Sequence, residues 1–159
     1  MRYHEWVTQR TEREWIRFRR HAAGLSQREL ADLAGVSQPL IAAIESGVRR
    51  ASRSTLQRLT QALQVRPSDL LHAARQEVIA LAAAHGCQVI GVFGSVASGE
   101  DRPESDIDLL VRFPADADIL DLLELEEELS DLLTVPVDVI SASSGSVATS
   151  GTSLESVGI

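Results

Sequence analysis

Asp106 and Asp108, one residue apart in Ser105-Asp106-Ile107-Asp108-Leu109-Leu110-Val111, are the residues of this 159-residue chain best suited to chemistry. The apolar run they open predicts a strand over 106–113. Alternate residues of a strand share a face, about 6.6–6.8 Å apart, so the two carboxylates point the same way and can flank a hard divalent cation such as Mg²⁺. Ten residues separate Asp106 from Gly94-Ser95, which ends another strand-like run, Val89–Phe93. A glycine at that turn lets backbone N–H groups approach phosphate oxygens. A third carboxylate, Asp138, is the one charged residue of Val135-Pro136-Val137-Asp138-Val139-Ile140. An aspartate in such a strand is costly unless it is paired or binds metal. If this strand lies beside the Asp106 strand, the three carboxylates suit two-metal phosphoryl-transfer chemistry.

The elements that must position these residues follow from the pattern. After the strand at 89–93 come a polar turn, the strand at 106–113, a helix over about 118–133 and a strand at 137–140. The helix sets Ile119, Leu122, Leu123, Leu125, Leu129, Leu132 and Leu133 on a broad apolar face, and its acidic residues on the rest. The acidic face reads most simply as solvated surface, with a docking face for a basic partner as the sharper alternative.

The first half is of another kind. Thr11-Glu12-Arg13-Glu14, Ser26-Gln27-Arg28-Glu29 and Ser54-Thr55-Leu56-Gln57 each fit a capping box, and Gly24, Gly35 and Gly47 fit helix stops. Ser37 is expected to cap a helix over Gln38–Ser46, with Pro39 tolerated in its first turn. Two short helices joined at a glycine turn, Gln27–Ala34 and Gln38–Ser46, make a helix-turn-helix pattern. Trp6, Trp15 and Phe18 read as core residues. His4, His21, His72 and His85 have no zinc-type spacing. After Val65-Arg66-Pro67, Ser68 is expected to cap a helical pattern running to His85-Gly86. Either one helix of about 17 residues, roughly 25 Å long, joins the halves, or a kink falls near Ala74–Gln76.

Charge divides the chain the same way. Residues 1–75 hold 13 Arg against 7 Asp and Glu, whereas residues 76–159 hold 2 Arg against 16, for a net charge of −8. A basic half suits nucleic acid, and an acidic half suits metal ions or a basic protein. Cys87 is the sole cysteine, so no internal disulfide framework is possible, which fits a reducing compartment. No apolar run approaches the length of a membrane span, and the N-terminus lacks a secretory h-region. A cytoplasmic protein without a membrane segment is expected.

Residues 15–71 resemble the XRE/Cro-type helix-turn-helix family through Ala23-Gly24-Leu25-Ser26-Gln27-Arg28-Glu29-Leu30-Ala31, Gly35-Val36-Ser37-Gln38, Ile41, Ile44-Glu45-Ser46-Gly47 and Leu56 to Leu63. The resemblance implies that Gln38–Ser46 is a recognition helix in the major groove of operator DNA. Gln38 then reads bases, Ser37 touches a base edge or phosphate, and Gln27 binds phosphate. Arg28, Arg49, Arg50 and Arg53 clamp the backbone. A homodimer or hetero-oligomer is expected.

Residues 76–142 resemble the minimal nucleotidyltransferases, of the superfamily related to DNA polymerase β. Gly94-Ser95, Arg102-Pro103, Ser105 to Val111 and Asp138 carry the likeness. The resemblance implies that Asp106, Asp108 and Asp138 bind two Mg²⁺ ions, with Asp138 as base. It also implies that Gly94 and Ser95 hold the triphosphate of ATP and that Arg102 steadies phosphate charge. Such proteins are commonly antitoxins that add AMP to a HEPN-type ribonuclease toxin. Two departures stand out. Ser98 follows Ala97 where the family often has Arg, and Ser141–Ser153 is rich in Ser, Gly, Thr and Ala where the family has a charged helix.

The expected architecture is therefore two domains, an all-α helix-turn-helix bundle over 1–75 and an α/β (α+β) nucleotidyltransferase domain with a small mixed sheet over 76–142, followed by a Ser/Gly/Thr-rich tail over 143–159. The expected function is a DNA-binding antitoxin that adenylylates its toxin. The alternatives are a transcriptional regulator whose second half only binds nucleotide or partner, and a nucleotidyltransferase acting on a small molecule such as an aminoglycoside.

Overall fold

The computed structural model describes residues 11–142. His4, Trp6 and the tail over 143–159 lie outside the described residues. Helices α1 (Glu12–Ala22), α2 (Gln27–Ala34), α3 (Gln38–Glu45), α4 (Arg53–Ala62), α5 (Pro67–Ala73) and α6 (Arg75–Ala84) lead into strand β1 (Gln88–Phe93). Then come a short helix α7 (Gly94–Ser98), strand β2 (Ile107–Arg112), helix α8 (Ile119–Leu133) and strand β3 (Val137–Ser141).

The caps explain most of the helix starts. The Thr11 N–H donates to Glu14 Oε2 at 2.8 Å. Ser26 and Glu29 bond reciprocally, at 2.7 and 3.2 Å. The third cap differs from the expectation. Ser52, not Ser54, accepts the Thr55 N–H at 3.2 Å, so α4 starts at Arg53. Ser68 also proves not to be a cap residue. Arg66 is the N-cap of α5 and Pro67 sits in its first turn, where a missing N–H costs nothing. The long joining helix breaks at Ala74, whose φ of −108° and ψ of 17° are not helical.

Two hydrophobic clusters form. Trp15, Ile16, Leu30, Ile41, Ile44, Leu59 and Leu63 pack the helix-turn-helix core. Val65, Leu70, Val78, Ile107, Leu109, Leu125, Leu129 and Val137 belong to the second, which takes in α5 as well as the sheet. Helix α1 serves both, because Trp15 and Ile16 enter the first cluster while Phe18 and Ala22 pack against the second. Between them Arg19 is buried, 5.0 Å from the Trp15 ring centroid. Its guanidinium donates to Leu63 O at 3.1 Å and to Thr134 Oγ1 and O at 3.0 and 2.9 Å. Burial pushes its pKa down to about 10, so it stays charged at neutral pH.

The sheet has the order β1-β2-β3. β1 and β2 are antiparallel with a register shift between Val89 and Gly91, and β2 and β3 are parallel. Ile107, Leu109, Val111, Val137 and Val139 are buried, so Asp108 and Asp138 project from the other face by the strand alternation. Helix α8 buries Leu125, Leu129 and Leu133 behind the sheet. Its expected apolar face is narrower than the periodicity suggests, since Ile119 is 65% and Leu123 50% exposed. Leu122, between them, still packs against the second cluster.

Candidate active site and nucleic-acid surface

The parallel pairing of β2 with β3 brings the carboxylates together. Asp108 and Asp138 are Cα partners in register. Side chains of α8 fix the outer strand. Ser130 Oγ accepts the Val137 N–H and Glu126 Oε2 accepts the Val139 N–H, both at 3.0 Å. These bonds flank Asp138 on either side and satisfy backbone donors of an edge strand. Nothing in the spacing of Glu126 or Ser130 signals this role, because their partners lie in the next element.

Asp106 precedes β2 and is exposed, so it is not held by the ladder as a strand residue is. All three aspartates nevertheless share one field. Burial, and then the charges of Asp106 and Asp138, raise the Asp108 carboxyl above its ordinary range. Among the described residues no group of three His, Cys, Asp or Glu side chains closes into a metal cage. The donor set still fits a hard divalent cation. It is all carboxylate oxygen, and a cation would relieve the repulsion that holds Asp108 towards its protonated form.

Gly94 lies against this cluster. Its φ is +63°, and a Cβ there would collide with Asp108 Oδ2. Glycine is therefore required twice, for backbone conformation and for space. The expected turn after it is the short helix α7, closed by Gly99 in the left-handed region. Ser95 sits in α7, where its carbonyl accepts the Glu100 N–H at 2.9 Å. Ser98 donates its hydroxyl to the same carbonyl at 3.2 Å. Arg102 is exposed on the turn before β2, and its N–H is received by Ser105 Oγ at 2.9 Å.

Asp101 is a residue the motif does not single out. Its side chain is fully buried and pairs with Arg66. The second carboxylate oxygen accepts the Ser68 N–H at 2.8 Å. Burial opposes the charge, but the bonds from Ser68 and Arg66 outweigh it and hold the carboxyl below its ordinary range.

In the helical half, Gln38 Nε2 donates to Gln27 Oε1 at 3.0 Å, and Gln27 Nε2 donates to Glu45 Oε2 at 3.0 Å. Glu45 in turn receives a bidentate fork from Arg20, at 2.7 and 2.9 Å. Burial works against the Glu45 charge, yet the Arg20 and Gln27 bonds hold its carboxyl below the usual range. A line of polar groups thus runs from a buried ion pair out to exposed Gln38. Arg20, Ser26, Gln27, Arg28, Ser37 and Gln38 line an open groove there. The structure brings Gln27, Arg28, Ser37 and Gln38 together, while Arg49, Arg50 and Arg53 are exposed outside that groove. Arg20 carries no motif of its own, and Glu45, though part of the Ile44–Gly47 run, shows its role as the partner of Arg20 and Gln27 only in the folded chain.

Comparison with known proteins divides the chain between residues 70 and 82, although Val65 and Leu70 of the first match pack in the second cluster. Residues 16–70 match the helix-turn-helix model, and residues 82–152 match the model of the nucleotidyltransferase domain. A Methanocaldococcus jannaschii protein with a provisional protein-adenylyltransferase name is 37% identical over 70 residues, which are 44% of this chain and 75% of that one. The protein adenylyltransferase MntA of Thermococcus cleftensis is 46% identical over 59 residues, 37% of this chain and 60% of its own. A solved structure described as a candidate minimal nucleotidyltransferase is 46% identical, with a TM-score of 0.43, over 46% of this chain and 76% of that one. The chain thus spans between 60% and 75% of the length of these two curated relatives. Among the described residues no helix is long and apolar enough to cross a membrane. With Asp108 set against the Gly94 turn, with the nucleotidyltransferase-domain match spanning both and with a relative 37% identical over 75% of its own length, the chain belongs to the nucleotidyltransferase family and carries a helix-turn-helix domain ahead of its nucleotidyltransferase domain.

Proposed function

We propose that this protein is a DNA-binding antitoxin and autoregulator that transfers AMP from ATP to a protein partner, a HEPN-type toxin. The observation that carries the enzymatic part is the field shared by Asp106, Asp108 and Asp138 beside Gly94. Asp106 and Asp108 hold divalent metal, with Asp138 completing a second position. Bound Mg²⁺ neutralises phosphate charge and lowers the pKa of an attacking hydroxyl. The backbone at Gly94 and Ser95, with the Ser95 hydroxyl, receives the triphosphate, and Arg102 steadies its charge. Asp138, exposed at the sheet edge, takes the acceptor proton. The acceptor oxygen forms a bond to the α-phosphorus, the bond to the bridging oxygen breaks, and pyrophosphate leaves. The names of the relatives support protein as the acceptor.

The helix-turn-helix domain supports operator binding in double-stranded DNA. Gln38 reads bases, while Gln27, Ser37 and Arg28 contact the backbone alongside it and Arg49, Arg50 and Arg53 add phosphate contacts. Incubation of the purified chain with α-labelled ATP, Mg²⁺ and the product of the neighbouring gene tests the reading. Label on the partner, lost in Asp108→Asn, is the expected result. No label with any nucleoside triphosphate, while operator binding is intact, would overturn the enzymatic reading in favour of a regulator with an inert second domain.

A further inference from the structure

The turn between α7 and β2 connects the Gly94-Ser95 segment to Asp106, and it is held from outside the nucleotidyltransferase match. Arg66 lies within the helix-turn-helix match at 16–70, whereas the nucleotidyltransferase match begins at residue 82. Arg66 Nε donates to Asp101 O at 3.1 Å, and its NH2 group donates to Gly99 O at 2.8 Å and to Asp101 Oδ1. One guanidinium therefore spans two backbone carbonyls and a carboxylate of the turn. Asp101 is the one buried residue from 99 to 106, and its other oxygen takes the first-turn N–H of Ser68. Bonds within the turn and back to α7 are local, from Gly99 N–H to Val96 O at 3.3 Å, from Glu100 N–H to Ser95 O at 2.9 Å, and two between Arg102 and Ser105 at 2.9 Å. Arg66 and Ser68 add the four bonds that reach the turn from the helical half.

We infer that Arg66 is a positioning residue of the nucleotidyltransferase site, which is complete only when the last segment of the helix-turn-helix region clamps Asp101. The inference rests on the proposed metal–nucleotide role of Gly94–Asp108. Asp101 is five residues before Asp106, so the clamp sets where the chain enters β2. Without Arg66 a buried carboxylate loses its counter-charge, and the turn must open to hydrate it. Arg66 bonds no proposed ligand directly, so its removal is expected to act at the lower end of the about 10–100-fold range that direct outer-shell partners of metal ligands show. A lysine can keep the charge but not the fork that reaches two carbonyls.

The test uses full-chain Arg66→Ala, Arg66→Lys, Asp101→Asn and the Ala/Asn double variant. Mn²⁺ affinity is read by electron paramagnetic resonance, amide exchange is followed over 94–106, and transfer is split into KM for nucleotide and kcat. Arg66→Ala should weaken Mn²⁺ about tenfold or more and raise the nucleotide KM. It should speed exchange in the turn while α2 and α3 keep their protection and DNA affinity is unchanged. Arg66→Lys should fall between it and wild type, and the double variant should be no worse than Arg66→Ala. Asp101→Asn, which keeps the shape of the side chain, carries the test if Arg66→Ala does not fold. Unaltered Mn²⁺ affinity and KM in the folded variants, with an active wild type, would overturn the inference and leave the proposed function standing. A wild type that neither binds Mn²⁺ nor transfers label would overturn both.

Discussion

Asp108 and Asp138 stand opposite one another in the parallel ladder of β2 and β3, as direct Cα partners. Cross-strand like charges destabilise, and Asp108, raised by burial and by Asp106 and Asp138, bears that cost. A carboxyl with a raised folded pKa contributes stability below its ordinary value of 3.8 and loses it as pH rises through the folded value. Metal-free Asp108→Asn should therefore lose this part of the pH slope. Discounted for exposure to less than about 1 kcal/mol, the change should raise Tm at pH 7 by about 1–2 °C. Thermal melts of both proteins from pH 3 to 8 check it, and a lower-melting variant at neutral pH would contradict the repulsion.

Divalent metal should act in the opposite sense to that repulsion. At about 100 times its Kd, a ligand of the folded state adds roughly 2.7 kcal/mol. For a chain of this size that is about 5–10 °C in Tm. Mg²⁺ or Mn²⁺ should produce such a rise in the wild type and much less in Asp106→Asn and Asp108→Asn. Chelation should reverse it.

Gly94→Ala tests how closely the turn meets the cluster. The left-handed backbone alone costs about 1–2 kcal/mol for a residue with a Cβ, and the methyl would also displace Asp108 Oδ2. A lowered urea midpoint with loss of the Mg²⁺-dependent Tm rise is expected. A drop in midpoint with the metal response intact would mean that Asp108 can move aside freely.

Gln38 and Arg28 should separate in their effects on DNA. Gln38→Ala should relax base preference, since a good bidentate base contact is worth about 1–3 kcal/mol. Arg28→Ala should weaken binding to all sequences and reduce the salt slope by about 1. Glu45→Ala should be different in kind. Its side chain and that of Arg20 are 5% and 9% exposed, and removing one partner of such a pair costs about 3–5 kcal/mol. Salt titrations of binding, with urea melts alongside, distinguish the three.

Arg19 ties Leu63 at the end of α4 to Thr134 in the turn before β3. A hydrogen bond to a charged group of this kind is worth about 1.5–3 kcal/mol. Wild type should melt in one calorimetric transition. Arg19→Ala should show two, one for each hydrophobic cluster. A single transition in the variant would place the coupling elsewhere along α1.

Much of the candidate site is legible in the sequence. Gly94-Ser95, Asp106, Asp108 and Asp138 stand out because strand alternation and the cost of an unpaired aspartate are local rules. The helix caps at Thr11 and Ser26 are local too, as reciprocal bonds over three residues. Local signals mislead where two of them compete. Ser52 and Ser54 both precede a helical run, and only the observed Ser52–Thr55 bond decides between them. The exposure of Ile119 and Leu123 escapes the periodicity because burial depends on which elements pack over the helix, which spacing does not encode.

The amino-acid sequence by itself pointed to the two domain types through the motifs they carry, to the Asp106 and Asp108 pair and to the glutamines of the groove, since each follows from residue type and short-range spacing. Tertiary structure alone decided that β3 lies parallel beside β2, that α1 joins both cores through Arg19, and that Arg66 clamps Asp101. Those contacts join residues far apart in the chain, from 30 positions for Asp108 and Asp138 to 115 for Arg19 and Thr134. Their partners are set by how whole elements pack, which no local spacing encodes.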